Sequence, residues 1–248
     1  MFNNIKNRII FCAFAFILSS LLAGCAPHPK PAPPPPTHKI VQPSAEAIKA
    51  HKKLIATRYL ETGNDAIKAK DYDAAFKAYK KSAGLGNAKA QFALGYLYRS
   101  GHGTDQDYAK ATKWFKKAAH QGYAKAQTNL GIRYLHGEGV AQSDEKAIYW
   151  FKKAAAQNDA FAQNQLGYMY SAGQGVPQDK AEALKWYRLA ANQGLASAEY
   201  NLGLMYANGE GVEQSNEIAL QWFKLALRHG FHPAQAYIDT ATKKANAS

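Results

Sequence analysis

The sequence predicts an all-α protein, a solenoid of antiparallel helix pairs. A motif recurs at a fixed interval of 36 residues, and each copy contains two stretches in which apolar residues follow helical spacing. A single hairpin cannot cover its own apolar face, whereas stacked hairpins bury these faces against one another. Three residue types keep the register of the copies, namely Gly95, Gly131, Gly167 and Gly203; Trp114, Trp150, Trp186 and Trp222; and Ala90, Ala126, Ala162, Ala198 and Ala234.

The N-terminus has the layout of a secretory signal peptide. Lys6 and Arg8 precede an apolar run over residues 9–18, which is too short for a comfortable membrane span. The signal ends in Leu-Ala-Gly-Cys, which resembles the lipobox of bacterial lipoproteins. This resemblance implies that residues 1–24 are removed and that Cys25 is lipidated. The alternative is an ordinary secreted protein in which this cysteine is incidental.

The same resemblance implies an outer-membrane lipoprotein that faces the periplasm or is exposed on the cell surface. Ala26 follows the cysteine, whereas an aspartate there would signal inner-membrane retention in enteric-type bacteria. Acyl chains such as palmitate contribute about 0.8 kcal/mol for each buried CH₂, which would hold the protein on a bilayer. Cys12 lies inside the signal, so the mature chain has no pair of cysteines for a disulfide.

Residues 25–43 are predicted to form a tether. Eight of the ten prolines lie between Pro27 and Pro43, and proline excludes both helix interiors and central strands. An extended polyproline segment over residues 26–43 would reach roughly 55 Å, which would lift the repeats off the membrane. The alternative is a proline-rich ligand for another protein module.

Helical repeats occupy the rest of the chain. The spacing of Ile48, Ile55 and Tyr59 predicts a helix that begins near Ser44, and residues 44–87 contain this helix and a first hairpin. That hairpin, "GNDAIKAKDYDAAFKAYKKSA", resembles a tetratricopeptide repeat. Residues 88–231 form four copies such as "AQNQLGYMYSAGQGVPQDKAEALKWYRLAANQG", which resemble the related Sel1-like repeat. The resemblance implies a right-handed superhelical solenoid, and residues 232–248 are predicted to form a capping helix.

Each copy is predicted to contain a helix A, such as residues 160–172, and a helix B, such as residues 180–193. Alanine and glycine at facing positions allow the two helices to approach closely, while tryptophan fills the gap between neighbouring copies. Helix B is expected to be followed by a residue in the left-handed conformation, which glycine adopts most easily and asparagine tolerates. These residues are Gly86, Gly122, Asn158, Gly194 and Gly230.

The sequence predicts no catalytic group, cofactor or metal site. The recurring Gly-x-Gly pairs follow helices, whereas a phosphate-binding loop follows a strand, so we interpret them as connectors. Ser143 and Lys146 match the Ser-x-x-Lys spacing of penicillin-recognising enzymes. The equivalents of this serine are Asp107, Asp179 and Ser215, a choice typical of helix N-caps. The eight histidines form no cluster with cysteines or carboxylates.

A partner-binding surface is predicted by resemblance to tetratricopeptide repeats, in which helix A lines the concave side. Aromatic side chains mixed with lysine, arginine and asparagine suit an extended peptide or a partner helix. The alternative is that these aromatic residues partly pack against the neighbouring helix. This surface, the A-helix face, comprises Lys89, Phe92, Tyr96, Arg99, Lys125, Thr128, Ile132, His136, Phe161, Asn164, Tyr168, Tyr200 and Leu204.

A second surface is basic. The chain carries a formal net charge of +13, which favours anionic partners such as peptidoglycan, other envelope polymers or lipid headgroups. Nucleic acid is excluded because an exported protein rarely meets it. The alternative is a solvated face that keeps the protein soluble. The basic stripe, which occupies one slot of successive B helices, comprises Lys80, Lys116, Lys152, Arg188 and Lys224.

Two functions therefore compete. The first is a non-enzymatic, membrane-anchored scaffold or adaptor that binds a protein or peptide partner in the bacterial cell envelope through its concave face. The second is an envelope enzyme or cell-wall-binding protein that acts on peptidoglycan or β-lactams. The sequence favours the first, because its recurring residues build surfaces and include no catalytic constellation.

Overall fold

A computed structural model describes residues 43–246 of the chain, and their side chains as far as residue 241. The predicted signal peptide, Cys25 and the tether before Pro43 lie outside these residues. All regular structure in the described part is helical, which confirms the predicted all-α class. None of these helices combines the length and the apolar character needed to cross a bilayer.

The helices form the predicted solenoid of antiparallel pairs. Each odd-numbered helix up to α9 packs on the even-numbered helix that follows it, and each pair contacts the next pair along the chain. Helices α3, α5, α7 and α9 are the predicted A helices, and α4, α6, α8 and α10 are the B helices. The bounds are α1 Ala45–Lys68, α2 Tyr72–Gly84, α3 Ala88–Ser100, α4 Tyr108–His120, α5 Ala124–His136, α6 Asp144–Ala155, α7 Ala160–Ala172, α8 Lys180–Ala191, α9 Ala196–Asn208, α10 Asn216–Arg228 and, after a 3-10 turn at His232–Ala234, α11 Gln235–Asn246.

Local capping chemistry sets the ends of these helices. The side chain of Asp107 accepts a hydrogen bond from a backbone N–H three residues later, at 2.8 Å, and Asp179 does the same at 2.9 Å. Asn158 adopts the left-handed conformation predicted for it, with φ of +62°. Helix α8 ends at Ala191 and not at Gln193 as predicted, because residues 192 and 193 already turn toward a left-handed Gly194.

A glycine on each A helix packs directly against an aromatic ring on its B helix. Phe151 is fully buried, and a Cβ atom added to Gly131 would lie 2.6 Å from its ring. The tryptophan that precedes this aromatic residue in each copy has another role. Trp114 and Trp222 pack against clusters that combine the B helix of the preceding hairpin with the A helix of their own, which agrees with the prediction that tryptophan fills gaps between copies. The glycine–aromatic contacts join Gly95 to Phe115, Gly131 to Phe151, Gly167 to Tyr187 and Gly203 to Phe223.

Buried glutamines tie successive hairpins together. Gln127 is 4% exposed, and its side-chain amide donates to the carbonyl oxygen of Ala119 at the end of the preceding hairpin. Its Oε1 accepts from Gln157 Nε2 at 2.8 Å, at the end of its own hairpin. The last copy differs, because a fully buried Glu199 replaces the glutamine and pairs with His229 Nδ1 at 2.9 Å. The glutamine pairs are Gln91–Gln121, Gln127–Gln157 and Gln163–Gln193.

The Gly-x-Gly loops dock onto the preceding hairpin. Gly139, with φ of +71°, lies so close to the first turn of α4 that a Cβ atom would be 2.9 Å from the backbone nitrogen of Ala109. Beside it, the hydroxyl of Thr112 donates to the backbone carbonyl of Glu138 at 2.9 Å. The predicted connectors are therefore also joints between hairpins. The second glycines of the four loops are Gly103, Gly139, Gly175 and Gly211.

Candidate partner-binding surface

Much of the A-helix face is open to solvent. Its aromatic members include Phe161, which is 62% exposed, Tyr168, which is 51% exposed, and Tyr96, which is 39% exposed. Single exposed apolar side chains are ordinary, whereas contiguous exposed apolar patches often mark interaction sites. The exposed members of the face are Lys89, Tyr96, Arg99, Lys125, His136, Phe161 and Tyr168.

Two members of the A-helix face lie below the surface, so the expectation that they are exposed was wrong. Thr128 is 5% exposed and Asn164 is 8% exposed. Asn164 Oδ1 accepts a hydrogen bond from Asn201 Nδ2 on α9 at 3.0 Å. Phe92 and Ile132 are half-buried, and Phe92 packs at a ring-centroid distance of 5.2 Å from Tyr123.

The C-terminal end of the A-helix face is covered by the chain itself. Tyr200 packs against Phe231 at a centroid distance of 4.8 Å and against Tyr237 of α11 at 5.9 Å. Leu204 packs against the same apolar cluster. The segment after α10 therefore occupies the positions at which Tyr200 and Leu204 were expected to meet a ligand, and the open part of the face spans α3, α5 and α7.

An open cavity of about 360 Å³ lies between these three helices and brings several predicted residues together. Its wall contains aromatic and aliphatic groups together with basic and other polar side chains. Pockets that combine an apolar wall with a few polar groups are suited to binding a side chain or a short peptide segment. The members of the A-helix face that line it are Phe92, Tyr96, Arg99, Lys125, Thr128, Ile132 and Phe161.

Sequence analysis missed three lining residues, Asn129, Arg133 and Asp159, of which Arg133 is the least exposed. Arg133 is only 2% exposed, and its Nη1 donates to a carboxylate oxygen of Glu138. Burial lowers the pKa of the Arg133 guanidinium, the charge of Glu138 raises it and the nearby charge of Arg99 lowers it again. A signal was present in the sequence, because the residues 36 positions before and after are the apolar Leu97 and Met169. We call this pocket the Arg133 cavity.

Comparison with known proteins accounts for the repeat. A family model described as the Sel1 repeat matches five consecutive segments, at residues 54–87, 88–123, 124–159, 160–195 and 196–231. The chain belongs to the Sel1 repeat family. The first Sel1 segment includes the whole of the hairpin that resembles a tetratricopeptide repeat, so the family pattern begins before the four equal copies.

Solved Sel1 structures share this architecture. A Sel1 repeat protein from Oxalobacter formigenes is 37% identical, with 73% of this chain and 74% of that chain covered and a TM-score of 0.70. The protein c5321, a protective antigen present in uropathogenic Escherichia coli strains and displaying an SLR fold, is 33% identical. That comparison covers 82% of this chain and 43% of c5321, with a TM-score of 0.70. No curated protein gave a significant match.

Ser143 caps a Sel1 B helix. Its hydroxyl oxygen accepts a hydrogen bond from the backbone N–H of Lys146 at 3.2 Å and donates to a carboxylate oxygen of Glu145 at 2.8 Å. The ammonium of Lys146 lies 5.5 Å from the centre of the Tyr134 ring. The ammonium of Lys146 is therefore placed against an aromatic ring, and the Ser143 hydroxyl acts as the helix cap predicted for it.

Two histidines of the Sel1 repeats contact other side chains of the repeats. His102 stacks on Tyr72 at a centroid distance of 4.4 Å, and His229 pairs with the buried Glu199. Within residues 43–246, no three side chains from histidine, cysteine, aspartate and glutamate come together as a metal site would require.

The basic stripe lies exposed on the B helices of the Sel1 repeats, and part of it contacts the next repeat. Lys152 lies over the ring of Tyr170 at 5.5 Å. The guanidinium of Arg188 donates to the Tyr206 hydroxyl at 2.7 Å. The Arg188 guanidinium also lies 6.0 Å from the centre of the Tyr206 ring. Cation–π contacts contribute about 0.5–1 kcal/mol at exposed sites, so these two cations also stabilise the junctions between repeats.

Proposed function

We propose that this chain is a non-enzymatic, lipid-anchored scaffold that holds a protein or peptide partner in the bacterial cell envelope. Stacked helical repeats such as the Sel1 repeat offer long surfaces for protein–protein interaction. The observation that carries the proposal is the exposure of Tyr96, Phe161 and Tyr168 on the A-helix face, two of which line the Arg133 cavity. Exposed aromatic residues next to cations are typical of binding hot spots.

The anchor and the compartment are part of this proposal. Cys25 would carry the lipid in the outer membrane, and residues 25–43 would separate the repeats from the bilayer, with the domain in the periplasm or at the cell surface. The basic stripe would face anionic headgroups or polymers such as peptidoglycan. The basis for this part is the lipobox-like sequence and the proline content of the tether.

Replacing Phe161 and Tyr168 together by alanine should reduce capture of the partner at least about tenfold, because truncation of hot-spot aromatics costs roughly 2 kcal/mol or more. Crosslinking in the native cell, followed by quantitative mass spectrometry, measures this capture. The matched control is Tyr149→Ala, which removes a 53% exposed aromatic side chain from a B helix. Unchanged capture of every crosslinked protein in the double variant, or an equal loss in the control, would contradict the proposal.

Cys25→Ser should move the protein from the membrane fraction to the soluble fraction. The reason is that the anchor consists of acyl chains, each contributing about 0.8 kcal/mol per buried CH₂, and serine cannot carry the thioether-linked lipid. Cell fractionation with immunoblotting measures the distribution. Cys12→Ser, inside the signal, is the matched control and should remain membrane-bound. Retention of Cys25→Ser in membranes at the wild-type level would rule out lipidation.

A further inference from the structure

Arg133 departs from the pattern of its own repeat. The equivalent residues of the other three copies are Leu97, Met169 and Met205, each 5% exposed or less. Placing a guanidinium in such an apolar slot costs desolvation energy, which only good pairing can offset. An apolar side chain would serve packing at least as well, so packing alone does not explain this residue.

The pairing of Arg133 is incomplete. Glu138 binds Nη1, which leaves the edge of the guanidinium formed by Nε and Nη2. Nε is buried and has no hydrogen-bond partner among the described residues, and the same is true of the hydroxyl of Thr128. Both residues line the same cavity. An unpaired buried donor is unfavourable, so an acceptor that enters this cavity would satisfy two donors at once.

The wall around these donors favours an anion. Arg99 and Lys125 are exposed at the cavity, and both are cationic. The lining also contains the carboxylate of Asp159, which caps α7 and accepts from the backbone N–H of Ala162 at 2.9 Å. This one carboxylate is outnumbered by the cationic side chains of the lining. The exposed ring of Phe161 supplies an apolar surface at the same opening.

We propose that the Arg133 cavity is a carboxylate subsite, which takes an aspartate or glutamate side chain of a peptide lying on the A-helix face. The carboxylate accepts from the Nε–Nη2 edge of Arg133, in the two-point geometry that guanidinium groups favour, and from the hydroxyl of Thr128. A neighbouring apolar residue of the same peptide packs on Phe161. This inference rests on the proposed function, because it specifies the chemistry of the partner at the same surface.

The test is selection of a displayed library of random dodecapeptides against the full-length protein and against Arg133→Met, the residue found at positions 169 and 205. Peptides recovered with the wild type should be enriched in aspartate or glutamate at one position, and this enrichment should be absent with the variant. For a recovered peptide, changing the acid to its amide should weaken binding to the wild type at least about tenfold and leave binding to Arg133→Met unchanged. Thr128→Val, which keeps the side-chain shape, should reduce the wild-type preference for the acid severalfold.

The outcomes separate this inference from the proposed function. Peptides that need Phe161 but show no acidic enrichment would overturn the carboxylate subsite and leave the peptide-binding face intact. The same holds if the acid-to-amide change weakens binding equally in wild type and Arg133→Met. If the library yields no peptide that is lost on Phe161→Ala, the peptide-binding face fails and the subsite fails with it. Circular dichroism confirms that each variant is folded.

Discussion

Gly139→Ala should lower the free energy of unfolding by about 3 kcal/mol or more. Gly139 has φ of +71°, a conformation in which L-residues are strained. Its new Cβ atom would also lie 2.5 Å from the carbonyl carbon of Tyr108 and 2.9 Å from the backbone nitrogen of Ala109, on the preceding repeat. Because backbone atoms in a helix cannot rotate away, the loop must leave its docking position. Urea unfolding followed by circular dichroism measures the effect.

Gly122→Ala separates the two contributions. Gly122 also has a positive φ, of +85°, but no atom lies within 4 Å of the place where its Cβ would be. Only the conformational penalty applies there, so a loss of about 1–2 kcal/mol is expected. Equal losses for Gly139→Ala and Gly122→Ala would show that the loop does not dock on the preceding repeat in the way described.

Gly131→Ala should destabilise the protein by about 1–3 kcal/mol, although a glycine-to-alanine change inside a helix normally stabilises. The added Cβ would lie 2.6 Å from the ring of Phe151, which is fully buried and has no space to move. The helices of the hairpin would have to separate. Thermal unfolding monitored at 222 nm reports the change as a lower transition midpoint.

Two controls make this prediction specific. Gly84, at the end of α2, has no atom within 4 Å of its would-be Cβ, so Gly84→Ala should stabilise by about 0.4–1 kcal/mol. The cost of Gly131→Ala should also be smaller in a Phe151→Leu background, because the smaller side chain leaves room for the new methyl group. If Gly131→Ala stabilised the protein as Gly84→Ala does, close packing of these helices would be refuted.

Periodicity was sufficient to predict the repeats, because a 36-residue interval without insertions leaves few alternatives to stacked hairpins. The N-cap role of Ser143 was also predictable, since aspartate occupies the same slot in two other copies. Both the repeats and the cap could be predicted by comparing equivalent positions of the sequence, and the structure confirms the cap.

Contacts between copies were harder to predict. Thr128 and Asn164 looked exposed because helical spacing gives the direction of a side chain within one helix, but not which neighbouring parts of the chain cover it. Tyr200 looked open because the return of Phe231 and α11 over it depends on tertiary packing. Arg133 could have been found by comparing equivalent positions, where one charged residue stands among apolar ones.

The glutamine pairs have a consequence for how such a chain can evolve. Gln127 reaches Ala119 and Gln163 reaches Ala155, in the same geometry one copy later. If recombination removed residues 124–159, Gln163 would take the place of Gln127 and meet the same acceptor. The Glu199–His229 pair cannot replace a glutamine pair in this manner, because the carboxylate of Glu199 has no N–H group to donate to the backbone carbonyl of the preceding hairpin. Gene duplications and deletions should therefore change the number of internal copies and preserve the terminal one.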